Sequence, residues 1–215
     1  MTLHINTFAV GPFQSNCSIL TCPKTGITAI IDPGGDAHMI AQNLNDEKAS
    51  PSYILITHAH IDHIHAIGDL RSHLKNPSLK ICLHKRDHAL YQNLKQQGKM
   101  FGIHAESPPA VNHFIEDGNI IKLGETQIRV LWTPGHSPGS VCFFISDPPI
   151  LFSGDTLFFQ GVGRTDLWEG SYETLAASIR EKLFCLPDTT KVICGHGPST
   201  TIGDEKQSNP FVGGG

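Results

Sequence analysis

The sequence contains no CxxC pair, no apolar run approaching the roughly 18 residues of a membrane span, no basic stripe, and no low-complexity segment beyond a terminal Gly-Gly-Gly that is expected to be mobile. Each absence narrows the function. The six cysteines, Cys17, Cys22, Cys82, Cys142, Cys185 and Cys194, sit apart and mostly inside apolar stretches such as SVCFFI and KVICG, which reads as buried free thiols in a reducing compartment. The N-terminal stretch MTLHINTFAVGPFQSN lacks a charged segment followed by a continuous apolar one, so no secretory leader is expected and the protein is placed in the cytoplasm, away from membranes. A net charge of -4 leaves no cationic surface for phosphates, and nucleic acid is not an expected partner. With 39% apolar and 17% charged residues in 215, the composition is that of an ordinary globule of one fairly large domain or two small ones.

What the sequence does have is short apolar runs bounded by turn residues. CSILTC, ITAIID, YILIT, KICL, NIIKL, TQIRVLW, SVCFFIS, ILFS and KVIC are rich in β-branched residues and predict strands, many of them covered on both faces. DAHMIAQNLND, IHAIGDLRSHL, KRDHALYQNLKQQ and YETLAASIREKLF space their apolar residues three or four apart and predict helices, with Ser171 as N-cap of the last. Strict strand-helix alternation is missing, so sheets covered by outer helices are expected rather than a doubly wound fold. ITAIIDPGGD and PPILFSGDT echo each other, each running a strand into a Gly/Asp turn. The span from Gly98 to His113 carries a Pro-Pro pair and is expected to be a long loop forming a wall of the substrate cleft.

Histidine is abundant, at thirteen residues, so chance clusters are common and any cluster needs a structural context. ITHAHIDHIHAIGDL supplies one. The strand YILIT ends at His58 and His60, whose two-residue spacing in extended chain points both side chains the same way. Asp62 and His63 follow as the chain turns into a helix whose core face is Ile64, Ile67, Leu70 and Leu74, which redirects a second pair of donors. His136 in LWTPGHSPGS, Asp155 after ILFSG and His196 in VICGHGPS also follow strands and sit in tight turns. Singly each is an ordinary turn residue; together they form a set of imidazole and carboxylate donors with no thiolate, suited to zinc, iron or manganese.

The run THAHIDH, TPGHSPGS, SGDTLF, CGHGP, in that order, resembles the metallo-β-lactamase superfamily, and GVGRTDLWEGSYETL with GPSTTIGDEKQSNPF is similar to bacterial glyoxalase II-like hydrolases of the short form without a helical C-terminal domain. The resemblance implies an α/β (α+β) fold, an αββα sandwich of two mixed sheets flanked by helices, as one domain over residues 1–215. It implies two divalent metal ions, zinc foremost: His58, His60 and His136 hold one, Asp62, His63 and His196 the other, and Asp155 bridges. The implied reaction is hydrolysis of a small-molecule thioester such as S-lactoylglutathione, in which hydroxide generated between the metals attacks the carbonyl and Asp62 acts catalytically as orienting group and proton acceptor.

Arg164 falls where longer glyoxalases II carry a basic glutathione contact, which implies substrate binding; an ion pair with Asp166 is the alternative. Their aromatic glutathione contact has no clear match here. His65 stands where relatives have a small residue and is expected on another face of the helix, as a surface or supporting histidine and not a ligand. Among other functions, a persulfide dioxygenase with a single iron shares the fold and a similar GxGRTD segment, and a lactonase shares the reaction class. A periplasmic β-lactamase would need a signal peptide, an RNA-processing nuclease a basic surface, and a non-catalytic scaffold would tolerate eroded ligands.

Overall fold

In the computed structural model, which describes residues 3–47 and 49–214, the apolar runs become strands whose alternate residues enter different cores. A first six-stranded sheet comprises β1 (His4–Val10), β2 (Ser15–Thr21), β3 (Ile27–Ile31), β4 (Ser50–Leu55), β5 (Lys80–His84) and β6 (His113–Ile115), in chain order across the sheet. A second contains β7 (Ile120–Leu123), β8 (Thr126–Trp132), β9 (Val141–Ser146) and β10 (Pro149–Gly154). After the two-stranded hairpin β11 (Leu157–Phe158) and β12 (Gly161–Val162), it gains β13 (Lys191–Cys194) and β14 (Thr200–Thr201), in the order β14-β13-β10-β9-β8-β7. Both sheets are mixed, with parallel pairs β3–β4, β4–β5 and β5–β6 in one and β10–β13 in the other.

Period-two geometry explains the unbroken hydrophobicity. In β3, Ala29 and Ile31 enter the layer between the sheets while Ile30 faces outward; in β9, Val141, Phe143 and Ile145 point between the sheets and Cys142 outward. The outward sides are covered by helices. α1 (Ala37–Asp46), α2 (Ile61–Ile64), α3 (Ile67–Leu74), α4 (His88–Gln92) and α5 (Leu94–Phe101) lie with the first sheet, and α6 (Tyr172–Ser178) and α7 (Ile202–Ser208) with the second. This is an αββα sandwich. Each fully buried Ile or Leu contributes about 1.5–3 kcal/mol of burial free energy, and three such clusters hold the layers together. No helix among the described residues is long and apolar enough to cross a bilayer.

The structure departs from the sequence reading at several places. The helical pattern at 64–74 begins three residues earlier and is broken, because the Asp62 carbonyl accepts from Ser15 Oγ (2.5 Å) and the Ala66 amide turns to the Pro33 carbonyl (3.0 Å). A Cβ on Gly34 would overlap that same Asp62 carbonyl, which is why the PGGD turn needs glycine there. The pattern at 85–97 starts as a short 3-10 turn and divides at Asn93, and α5 continues through Gly98 to Phe101, so the expected loop begins only at Gly102. The last predicted helix passes into a π-turn at 179–183. β1, β6 and α7 had no prediction: β1 is a half-exposed edge strand, and α7 is short and polar with Thr201 as its N-cap. Of the terminal glycines, Gly213 and Gly214 donate their amides to the Asn209 and Lys206 carbonyls, and Gly215 lies outside the described residues.

Candidate metal centre

Strand ends build the site. β4 runs into His58 and His60, the single turn of α2 presents Asp62 and His63, and the loops after β8, β10 and β13 deliver His136, Asp155 and His196 to the same edge of the sandwich. Side-chain donors of His58, His60 and His136 lie within 4.8 Å of one another, as do those of Asp62, His63, Asp155 and His196. All seven candidates therefore meet. His65 does not: its Nε2 faces the His104 carbonyl at 2.9 Å, at the protein surface.

Outer hydrogen bonds decide which ring nitrogens carry lone pairs inward. His136 Nδ1 donates to the Arg164 carbonyl (2.7 Å) and His196 Nδ1 to the Phe13 carbonyl (3.2 Å). Thr57 commits its hydroxyl proton to Asp32 Oδ2 (2.6 Å), so it can only accept from His58 Nδ1 (3.1 Å). Asp32 Oδ2 also receives His63 Nδ1–H at 3.0 Å. In the neutral rings the Nε2 atoms of His58, His63, His136 and His196 thus carry lone pairs, all directed into the centre.

Those inner atoms are short of partners. His58 Nε2 and His60 Nδ1 lie 3.1 and 2.9 Å from His136 Nε2. Two nitrogens bound at about 2.0–2.1 Å to a tetrahedral ion are separated by roughly 3.3–3.4 Å, so the cluster is near the size a cation requires. His63 Nε2 and Asp155 Oδ1 are buried without a hydrogen-bond partner although only 3.3 Å apart. Asp155 also stands 3.6 Å from His136 Nε2 and 3.8 Å from His196 Nε2 through Oδ2, touching both groups. It reaches this position past Gly195, where any Cβ would overlap the carboxylate. Converging lone pairs, orphaned buried atoms and two carboxylates fit divalent metal ions.

Electrostatics divides the centre. Burial first, and then the imidazoles of His63, His136 and His60, push His58 well below its ordinary range; burial and His136 bring His60 down to about 3. Burial opposes charge on His63 too, but Asp155, Asp62 and Asp32 outweigh it and raise its pKa, and His196 is raised by its bond to Asp62. Burial alone would raise Asp62 and Asp155; His63 chief among their imidazole neighbours holds both below the usual carboxylate range.

Several supports were not foreseen in the sequence. Asp32 holds a left-handed backbone (φ 49°), at a cost of roughly 1–2 kcal/mol for a non-glycine residue, and anchors both Thr57 and His63. Its signal was visible in ITAIIDPGGD, the echo of the Asp155 turn. Buried Asp87 accepts from the Ala59 amide (2.9 Å), Ser137 Oγ (2.8 Å) and the Gly139 amide (2.6 Å), clamping the His58–His60 loop to the His136 loop. Gln97 pins the same segment at the Ile61 amide and the Ala59 carbonyl. Neither residue has a motif around it.

A cleft of about 260 Å³ opens onto the donors. Met100 and Phe101 line it, but residues 107–111 of the expected wall border a separate cavity with Tyr91. Arg164 also lines the cleft, with its guanidinium in a bidentate pair to Asp166 (2.7 Å twice), while its carbonyl orients His136.

The family model of the metallo-beta-lactamase superfamily matches residues 10–196. The chain is 41% identical to a probable metallo-hydrolase, YqgX, of Bacillus subtilis over 95% of both chains, and 38% identical to hydroxyacylglutathione hydrolase GloC of Haemophilus influenzae over 98% of both. Among solved structures it resembles the BLEG-1 B3 metallo-beta-lactamase (TM-score 0.90, 37% identity, 98% of this chain and 100% of that one). It also resembles TTHA1623 in a di-iron-bound form (TM-score 0.87, 35% identity, 96% of this chain and 99% of that one).

Proposed function

The chain belongs to the metallo-β-lactamase superfamily, and we propose that within it the protein is a metal-dependent thioester hydrolase of the hydroxyacylglutathione hydrolase type. The observation that carries this reading is the set of inward lone pairs, fixed by outward-donated protons, that meets two carboxylates at the floor of an open cleft. In this reading His58, His60 and His136 would hold one divalent ion, Asp62, His63 and His196 would hold a second, and Asp155 would be shared between them. Zinc is the first expectation from the donor chemistry; iron, present in the similar di-iron structure, and manganese are its alternatives. Residues 1–215 act as one domain, supported by the core that both sheets share. Six free thiols, five of them buried, support a cytoplasmic setting.

Two such ions, when bound, supply hydroxide near neutral pH and polarise a carbonyl oxygen. The protein's own groups do the rest. Asp62 stays ionised and accepts a proton from the attacking water while orienting it toward the thioester carbonyl. Outward bonds from His58, His63, His136 and His196 hold those rings rigid, so little reorganisation accompanies the reaction. Arg164, at the edge of the cleft, contacts the substrate. A C–O bond forms, the C–S bond breaks, and the departing thiolate takes up a proton, giving a carboxylic acid and a thiol.

Metal-loaded protein is expected to hydrolyse S-lactoylglutathione or a related thioester and to lose that activity on chelation or in His58→Ala. Full hydrolysis with full metal retention in His58→Ala would overturn the reading. The likeness to a B3 metallo-β-lactamase makes a lactam the control substrate. A single-iron, oxygen-consuming reading of the persulfide dioxygenase type shares the fold, a related histidine motif and the GVGRTD segment; it would leave most of the second donor group without a role.

A further inference from the structure

Above its metal-facing floor the cleft is walled by Phe13, Leu90, Met100, Phe101, Leu167 and Trp168. A shallower groove of about 190 Å³ continues past Leu90, Met100 and Trp168 to the neutral amides of Asn93, Gln96 and Gln97. Three of these side chains stand in water: Met100 is 73% exposed, Phe101 52% and Trp168 50%. Phe101 packs edge to face on Phe13 at 5.2 Å, which fixes one wall. Large apolar side chains gathered around one opening mark a surface built to be covered.

Charge is as informative as shape. Of the residues lining cleft and groove, Arg164 is the one permanent cation, and its guanidinium already gives two of its three nitrogens, Nε and Nη2, to the Asp166 carboxylate. The glutathione portion of a thioester carries two carboxylates and one ammonium, and would meet apolar walls, neutral amides and a single arginine shared with Asp166. We propose that this cleft selects a substrate with an uncharged apolar group, an alkyl or aryl chain, on one side of the bond to be cleaved, so that among the thioesters considered above one with an apolar chain is preferred to S-lactoylglutathione. The identity of the reacting bond rests on the hydrolase reading; recognition of the apolar group does not.

Burial of each methylene should then improve binding about three- to fourfold until the groove is filled. The test is calorimetric titration of the metal-loaded protein with non-hydrolysable thioethers: S-methyl-, S-butyl- and S-hexyl-N-acetylcysteamine, with S-methylglutathione as the charged probe. The hexyl compound is expected to bind at least about tenfold tighter than either methyl compound, and Trp168→Ala to remove most of that gain with unchanged metal content. Equal or tighter binding of S-methylglutathione, or no dependence on chain length, would overturn the inference. In parallel the hexanoyl thioester is assayed for turnover. If the hexyl thioether binds as expected but no thioester is cleaved, the hydrolase reading fails and the apolar subsite stands.

Discussion

Where His58, His60 and His136 meet, burial and neighbouring imidazoles drive protons off the His58 and His60 rings. In the adjoining group Asp62 and Asp155 do the reverse to His63 and His196, drawing positive charge in. One region offers a cation three imidazoles with Asp155 at its border, the other imidazoles and two carboxylates in its midst. Similar side chains thus make two sites of different character, and the difference comes first from the Asp155 and Asp62 carboxylates set among His63 and His196, with Asp32 behind His63 adding to it.

The comparison breaks most completely at Asp155, which touches both groups. Asp155→Ala should lower kcat/KM by more than about 100-fold and strip metal from both halves, beyond the tenfold to 100-fold expected for a supporting residue; elemental analysis with kinetics checks it. Asp32→Asn should sharpen the contrast. It removes the carboxylate behind His63 and should cost about 10–100-fold in metal affinity, chiefly in the carboxylate-rich half, so that chelator competition leaves one ion where the native protein keeps two. Equal loss from both halves would contradict the assignment.

In the metal-free protein the halves should oppose each other in pH. The depressed His58 and His60 contribute stability that is present above the unfolded value near 6.5 and lost as pH falls toward their folded values, about 3 for His60. His63 and His196, raised when folded, contribute stability present below 6.5 and lost as pH rises through their folded values. Thermal unfolding of the chelated protein should therefore peak near pH 6.5, and His60→Gln should flatten the acid limb only. The smallest effect is expected at Arg164. Its pair with Asp166 is exposed and screened by solvent, so Arg164→Ala should change kcat/KM by less than about fivefold.

How far the sequence could be read follows the same division. His58, His60, Asp62 and His63 are consecutive donors at a strand-to-helix junction, so local geometry suffices to group them. His136, Asp155 and His196 join them only because three separate strand ends reach one edge of the sandwich, and it was their shared strand-then-turn context, together with the family resemblance, that linked them. Asp32 was half visible through the paired Gly/Asp turns. Asp87 and Gln97 were not, because their partners are backbone groups of distant loops and no local pattern encodes that. The divided helices were hidden for a similar reason: the Ser15 hydroxyl that takes the Asp62 carbonyl lies 47 positions away.

The central claim is a dinuclear hydrolase, and the most direct measurement counts metal per chain in the purified protein while following thioester loss and oxygen uptake side by side. Two divalent ions per chain, thioester cleavage and no oxygen consumption with glutathione persulfide are predicted. One iron per chain with persulfide-dependent oxygen uptake would contradict it.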